Sequence, residues 1–312
     1  MANTLITPSI IARQALATLY ESTIMLPLVF TDLSQEFRTA KVGNTINIRK
    51  PATFTVNMFD RANGIQPQNV VEGEVPVVLD KIPDVSFVVT DEDMSLKIDD
   101  FDNRLLTPAM EAIAQHIDAA IIAKFVADVT QVAGTHASAT ADGQTWDKPE
   151  VLIEAGRLLD LYSVPTSQRE AVVGVTTKAK WLNTELLKRA DHSGSTEALR
   201  AGSIGRDLFG FEAFRTTNVP QPAANPTVGD PTTEVGVAFH QSAMAFASAP
   251  LEMPAGANVG QVAVETYKGI SLRVAYGWDI KYKQTVVSID MLYGLKTLDK
   301  NRAALLKGPD ES

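Results

Sequence analysis

From Ile46 the apolar residues of "KVGNTINIRKPATFTVNMFD" fall on every second position, Ile46, Ile48, Ala52, Phe54, Val56 and Met58, broken only at Lys50. A period of two places them on one face of a strand. A second alternating run, "VPVVLDKIPDVSFVVTDED", follows at 75–93, and the Gly-, Pro- and Asn-punctuated "DRANGIQPQNVVEGE" between them reads as the loop at a tip. The two runs predict a β-ribbon of about thirteen residues per arm, roughly 40 Å long at ~3.3 Å per residue. An isolated two-stranded ribbon is marginal in water, and one this long outruns the cover its own domain offers. Its apolar face needs another surface.

Helical spacing appears twice near the start of the chain. Thr7 and Pro8 form a cap and first turn, and Ile11, Ala15 and Leu19 repeat behind them; Pro27 and the polar stretch to Lys41 then separate this helix from the ribbon, so it reads as an arm. Thr107 and Pro108 repeat the cap signal ahead of Met110, Ile113, Ile117, Ile121 and Phe125, with Ala114, Ile122 and Val126 widening the stripe. A helix over 108–129 would be roughly 33 Å long and reads as a spine. After the small, polar "GTHASATADGQ" at 134–144 a new unit begins, with helices around 149–162 and 176–190, the strands "EAVVGV" and "EVGVAFH", the segment "SAMAFAS" and the Pro-rich "NVPQPAANPTVGDP". "GISLRVAYGWDIKYKQTVVSIDMLYGLKTLD" supplies two more alternating strands. The pattern is α+β.

Composition narrows the classes. The chain has 312 residues, 45% hydrophobic and 21% charged, which fits a globular protein of about two domains. It has no cysteine, which removes disulfides, thiolate metal sites and cysteine nucleophiles. No apolar run spans a membrane and "MANTLITPSIIARQ" lacks the plan of a signal peptide, so the expectation is a protein made and kept in the cytoplasm, with no membrane partner. With 28 basic and 37 acidic residues the net charge is -9, the wrong sign for gripping phosphate backbones. Ten of the acids fall between Glu72 and Asp102 (Glu72, Glu74, Asp80, Asp84, Asp91, Glu92, Asp93, Asp99, Asp100, Asp102) against Lys81 and Lys97. They form either a solvated face or a surface that steers a basic neighbour.

The motifs that would carry chemistry fail on inspection. "AGSIG" has Ala201 where a nucleophile elbow needs glycine; a serine hydrolase using Ser203 and a distant histidine is the remote alternative. "GRDLFGFE" places Phe211 and Glu212 where a phosphate loop needs lysine and a hydroxyl. His116, His136, His192 and His240 are scattered, and "DDFDNR" lacks the spacing of a calcium loop. Trp146, Trp181 and Trp278 read as core or interface aromatics. The expectation is therefore no catalytic, metal or cofactor residue, and no enzyme.

Several segments, in order, resemble the major capsid protein of tailed bacteriophages, whose fold is named for phage Hong Kong ninety-seven, nearest the P-twenty-two-type coat proteins. "KVGNTINIRKP" is similar to the strand entering the extended loop, and "FDNRLLTPAMEAIAQHIDAAIIAKF" to the end of that loop and the spine helix. "VPTSQREAVVGVTTKAKWL" and "GSIGRDLFGFEAFRTTNVP" resemble the axial domain, and "VGVAFHQSAMAFASAPL" with "GISLRVAYGWDIKYKQTVVSIDMLYG" the closing strands of both domains.

The resemblance implies an N-terminal arm at 1–40, an extended β-hairpin loop at 41–98, a peripheral-domain spine at 99–146, an axial domain at 147–260, closing peripheral strands at 261–300 and a C-terminal tail at 301–312. It implies a structural subunit that self-assembles as hexamers and pentamers into an icosahedral shell around double-stranded DNA, bound without sequence preference. Its implied partners are a separate scaffolding protein, a portal protein and a decoration protein, and its location is the virion capsid, assembled in host cytoplasm. Expected inter-subunit contacts are Phe54, Val56, Met58, Phe59, Asp60, Arg61, Glu72 and Glu74 on the loop, and Ile11 and Leu19 on the arm. Covalent welding through a lysine and an asparagine is not expected, although Lys50 and Lys81 lie on the ribbon. An encapsulin-like nanocompartment shell is the alternative of the same fold.

Overall fold

Two packed helices lie at the centre of the larger core: α1, Pro8–Ser22, and α2, Thr107–Asp128, the expected spine. The computed structural model describes residues 8–31, 45–50, 56–59, 61, 64–65, 73–90, 105–135, 145–188, 207–252, 262–267 and 270–311. Met110, Ile113, Ile117, Ile121 and Phe125 of α2 are all buried, as their spacing predicts. For Pro8–Ser22 the arm expectation is corrected here. Ala12, Ala15, Leu16 and Leu19 of α1 form a stripe at spacings of three and four, and this stripe packs against α2 and against two strands of a sheet. Small alanines at two of the four positions let the helices approach closely, so α1 is a core element.

Among the described residues thirteen strands follow in chain order: β1 (Thr45–Lys50), β2 (Gly73–Val78), β3 (Asp84–Thr90), β4 (Val132–Ala133), β5 (Arg169–Val173), β6 (Glu212–Arg215), β7 (Gly236–His240), β8 (Met244–Ala249), β9 (Val262–Tyr267), β10 (Ile270–Asp279), β11 (Gln284–Asp290), β12 (Leu292–Thr297) and β13 (Ala303–Leu306). The antiparallel sheet β3-β11-β10-β9, called the peripheral sheet after the expected domain, takes α1 and α2 on its inner face. The mixed sheet β4-β13-β7-β5-β6 lies mostly in the span expected as the axial domain; α3 (Val151–Leu161) packs on it, and Trp181 of α4 (Val175–Leu182) is buried in the same core. The expected helix at 176–190 is broken: α4 stops at Leu182 and α5 is only Glu185–Lys188. The Trp181 carbonyl accepts both the backbone N–H of Thr184 at 3.1 Å and its Oγ1 at 2.6 Å, which closes the end of α4.

The long ribbon is also corrected. β1 and β2 pair over six positions, Thr45↔Val78 to Lys50↔Gly73. The run 75–93 is not one strand: the chain turns aside at Ile82–Pro83, where proline offers no N–H, and β3 pairs with β11 in the peripheral sheet. The predicted tail at 301–312 is corrected too. β13 is fully buried between β4 and β7, because "AALL" finds ladder partners far away in sequence.

Candidate inter-subunit surfaces

The ribbon divides into a covered root and an uncovered tip. At the root Ile46 and Ile48 alternate inward with Val77 and Leu79 and pack on Ala245, Ala247 and Ala249 of β8. Contact with β12 is unusually close: a Cβ on Gly294 would lie 2.2 Å from the Val78 carbonyl oxygen, so only glycine lets the two backbones meet. Lys81 and Tyr293 exchange backbone hydrogen bonds of 3.1 and 3.0 Å just beyond, fixing the root to the closing strand.

The described residues farther along the loop lie in solvent. Val56 is 94% exposed, Met58 91% and Ile65 85%, with Phe59 and Arg61 also exposed. Four large apolar side chains on one loop are a patch, whereas scattered ones are ordinary surface. Glu74 is exposed on β2 and accepts from Asn47 Nδ2 at 3.2 Å. Phe54, Asp60, Glu72 and the side chain of Ile11 lie outside the described residues. Leu19 does not join this set: it is buried at 0% exposure in its own chain, because the α1 stripe faces the spine.

Two features go beyond the sequence reading. Trp278, read there only as a core or interface aromatic, is exposed near the end of β10, and Ile280 and Tyr282 are exposed in the turn that follows. The second is Asp118, a carboxylate inside the apolar stripe of α2. It accepts the backbone N–H groups of Ile24 and Met25, each at 3.0 Å, and so ties the turn after α1 to the spine. Burial raises its pKa to about 6 although these two bonds pull it back. No periodicity marks such a residue.

Catalytic arrangements do not emerge. Ser242 Oγ lies 2.8 Å from His240 Nδ1, but the same nitrogen accepts the Ser242 N–H, so the contact is a local cap. Arg302 Nη1 donates to Ser242 Oγ at 2.7 Å, and burial, with Arg302 and Arg169 nearby, lowers the His240 pKa. A serine held by a cation beside a histidine with no orienting carboxylate lacks the triad's logic. Ser203 lies outside the described residues. Among the described residues no group of three His, Cys, Asp or Glu is placed to hold a metal ion, and no helix is long and apolar enough to cross a membrane.

Known structures share this architecture. A structure from Mycobacterium phage Che8 is 21% identical, covers 91% of this chain and 90% of its own, and superposes with a TM-score of 0.61. The capsid structure of the cyanophage P-SCSP1u is 14% identical over 93% and 89% of the two chains, TM-score 0.57. A virus-like particle from Pyrococcus furiosus is 12% identical over 95% and 98%, TM-score 0.50. No curated protein matches the chain. The family described as phage capsid protein matches residues 73–289, from the ribbon root to the end of the peripheral sheet. That match spans well over half of the sequence, and the chain belongs to the phage capsid protein family: it is a structural subunit of a capsid shell with the Hong Kong ninety-seven fold, not an enzyme.

Proposed function

We propose that the ribbon tip is the clasp by which each subunit holds a neighbour. The observation that carries this reading is the contrast between the strand pair and the loop it leads into, with Ile46 and Ile48 of β1 buried against the subunit's own β8 and Val56 and Met58 of the loop almost wholly in solvent. Burying four such side chains against a neighbour gives about 1.5–3 kcal/mol each before ordering costs, enough for one weak contact repeated over a shell. The subunits form hexamers and pentamers of a closed icosahedral shell around double-stranded DNA, which a net charge of -9 encloses without gripping. A separate scaffolding protein guides assembly in the host cytoplasm, a portal protein occupies one vertex, and a decoration protein can bind the outer face.

The double variant Val56→Glu, Met58→Glu tests the clasp. It should fold with the parent's thermal midpoint and fail to give closed particles in electron micrographs. Normal particles from this variant would remove the tip from the contact.

A further inference from the structure

A groove of about 680 Å3 lies on the outer side of α3, walled by Ile153, Gly156, Arg157 and Leu161 of that helix, by Arg169 and by Phe209. Phe209 sits in a tight turn whose ends, Leu208 and Phe211, exchange backbone hydrogen bonds of 2.9 and 3.0 Å. Its backbone is left-handed, φ 51°, next to Gly210 at 82°. That turn favours asparagine and glycine, so an aromatic residue there is strained, and such strain persists where the side chain has a use. Ile153, Leu161 and Phe209 are all exposed around the groove. Arg157 pairs with the shielded Glu154 at 2.6 Å yet keeps more than half its side chain in solvent, and Asp160 is taken up by the buried Arg169 at 2.6 Å.

The second feature is a rigid knob. In the turn Thr227–Asp230 the Asp230 carboxylate accepts the Thr227 N–H at 2.9 Å and hydroxyl at 2.7 Å, and the Asp230 N–H donates to the Thr227 carbonyl at 2.8 Å. The Gly229 N–H donates to the Glu311 carbonyl and the Glu311 N–H to the Asp230 carbonyl, both at 2.9 Å. A turn stapled this way nevertheless holds Val228 81% exposed, among the acids Asp230, Asp310 and Glu311.

Strand register sets where these features lie. Arg169 is opposite His240 and Leu306 is opposite Gly236, so the groove sits off the starts of β5 and β6 while the knob sits off the other end of the same sheet. About 15 Å of strand separates the two ends. Different patches at opposite ends of one unit make a head-to-tail contact, which closes into a ring when its rotation allows. We propose that the Val228 turn of one copy seats in the α3–Phe209 groove of a second copy, with Asp230 and Glu311 beside Arg157, joining axial halves around a ring. The inference rests on the shell-building reading and concerns a contact separate from the ribbon tip.

Because the chain has no cysteine, engineered ones report the contact directly. Particles of the double variants Ile153→Cys, Val228→Cys and Leu161→Cys, Val228→Cys are oxidised and run on non-reducing gels. At least one pair should give a ladder that ends at a closed ring, since each chain offers both halves of the contact, whereas the single variants give no ladder. Val228→Glu should leave the thermal midpoint unchanged and abolish ring formation, and Val228→Ile should keep it. Well-formed particles with no ladder from either pair, or normal rings from Val228→Glu, overturn the inference and leave the ribbon clasp standing. A parent chain that stays monomeric at all concentrations and salts overturns both.

Discussion

The carboxylate of Asp118 on the spine accepts the backbone N–H of Met25 at 3.0 Å, inside a core where the side chain is 2% exposed. Burial, the largest influence, lifts its pKa from 3.8 to about 6. A carboxyl whose folded pKa is raised binds its proton more readily folded than unfolded, so its contribution is fully present below about pH 4 and is lost as pH rises through about 6. The loss amounts to roughly 3 kcal/mol. In Asp118→Asn this pH-linked loss is absent, so the variant's thermal midpoint should gain on the parent's between about pH 4 and pH 7. A midpoint difference that stays flat across this range would show that Asp118 does not carry the effect.

Glu170 and Glu212 provide a second, independent pH test. They are register partners on the parallel neighbours β5 and β6, and the Glu170 pKa is raised to about 7 by burial first and by Glu212 second. Its contribution therefore falls away as pH passes through about 7, and like charges directly opposite add to the loss. Glu212→Gln should raise the midpoint at about pH 8 and leave it nearly unchanged at about pH 5. Equal shifts at both values would mean that packing, not repulsion, is responsible.

How much was legible from the chain follows from what its patterns encode. The spine was, because Ile113, Ile117, Ile121 and Phe125 repeat on one face over more than three turns of helix. The strand face at Ile46 and Ile48 was too, since period two fixes sidedness locally. Pairing was not: alternation does not say that β2 stops at Val78 or that β3 joins β11 rather than the ribbon. For the same reason Ala303–Leu306 looked like a tail, its partners Phe239 and Val132 being remote in sequence. α1 looked like an arm because Pro27 and the polar stretch behind it suggested detachment, while its buried stripe also suits a core. Exposure at the tip is a tertiary property, and only the loop's position could be anticipated.

The root of the ribbon depends on one glycine. A Cβ at Gly294 would meet the Val78 carbonyl oxygen at 2.2 Å and its carbon at 2.9 Å, both backbone atoms that cannot swing aside. Gly294→Ala should cost about 2–4 kcal/mol in denaturant unfolding. Gly277→Ala, in β10 with nothing within 4 Å of the added methyl, should stay within about 0.5 kcal/mol of the parent. Equal costs at the two sites would mean that the close approach at β12 is relieved easily.

Covalent welding has little to work with at Lys81. Its Nζ lies 5.9 Å from the centre of the buried Tyr293 ring, and its backbone is paired to the same residue. Particles boiled in detergent should run as one band near the 33.7 kDa chain mass. A ladder of multimers from the cysteine-free parent would demand a lysine elsewhere.

Cutting off the ribbon tip separates folding from assembly most cleanly. Lys50 and Gly73 are the last register pair of β1 and β2, so replacing residues 51–72 by Asn-Gly joins the strands with a favoured two-residue turn and keeps the root intact. Ile46, Ile48, Val77 and Leu79 stay packed on β8, and the exposed Val56, Met58 and Ile65 are removed without opening a cavity. The thermal midpoint of the unassembled subunit should move by only a few degrees, about 1 kcal/mol or less. Closed particles should not form, whereas the ring contact at α3 and Val228 lies on the other half of the molecule and should survive as free rings. An unfolded truncation would place residues 51–72 in the subunit's own core. Normal particles would mean that the shell closes without the tip, and the neighbour-holding role would then have to move to the exposed Trp278 near the end of β10 and to Ile280 and Tyr282 in the turn after it.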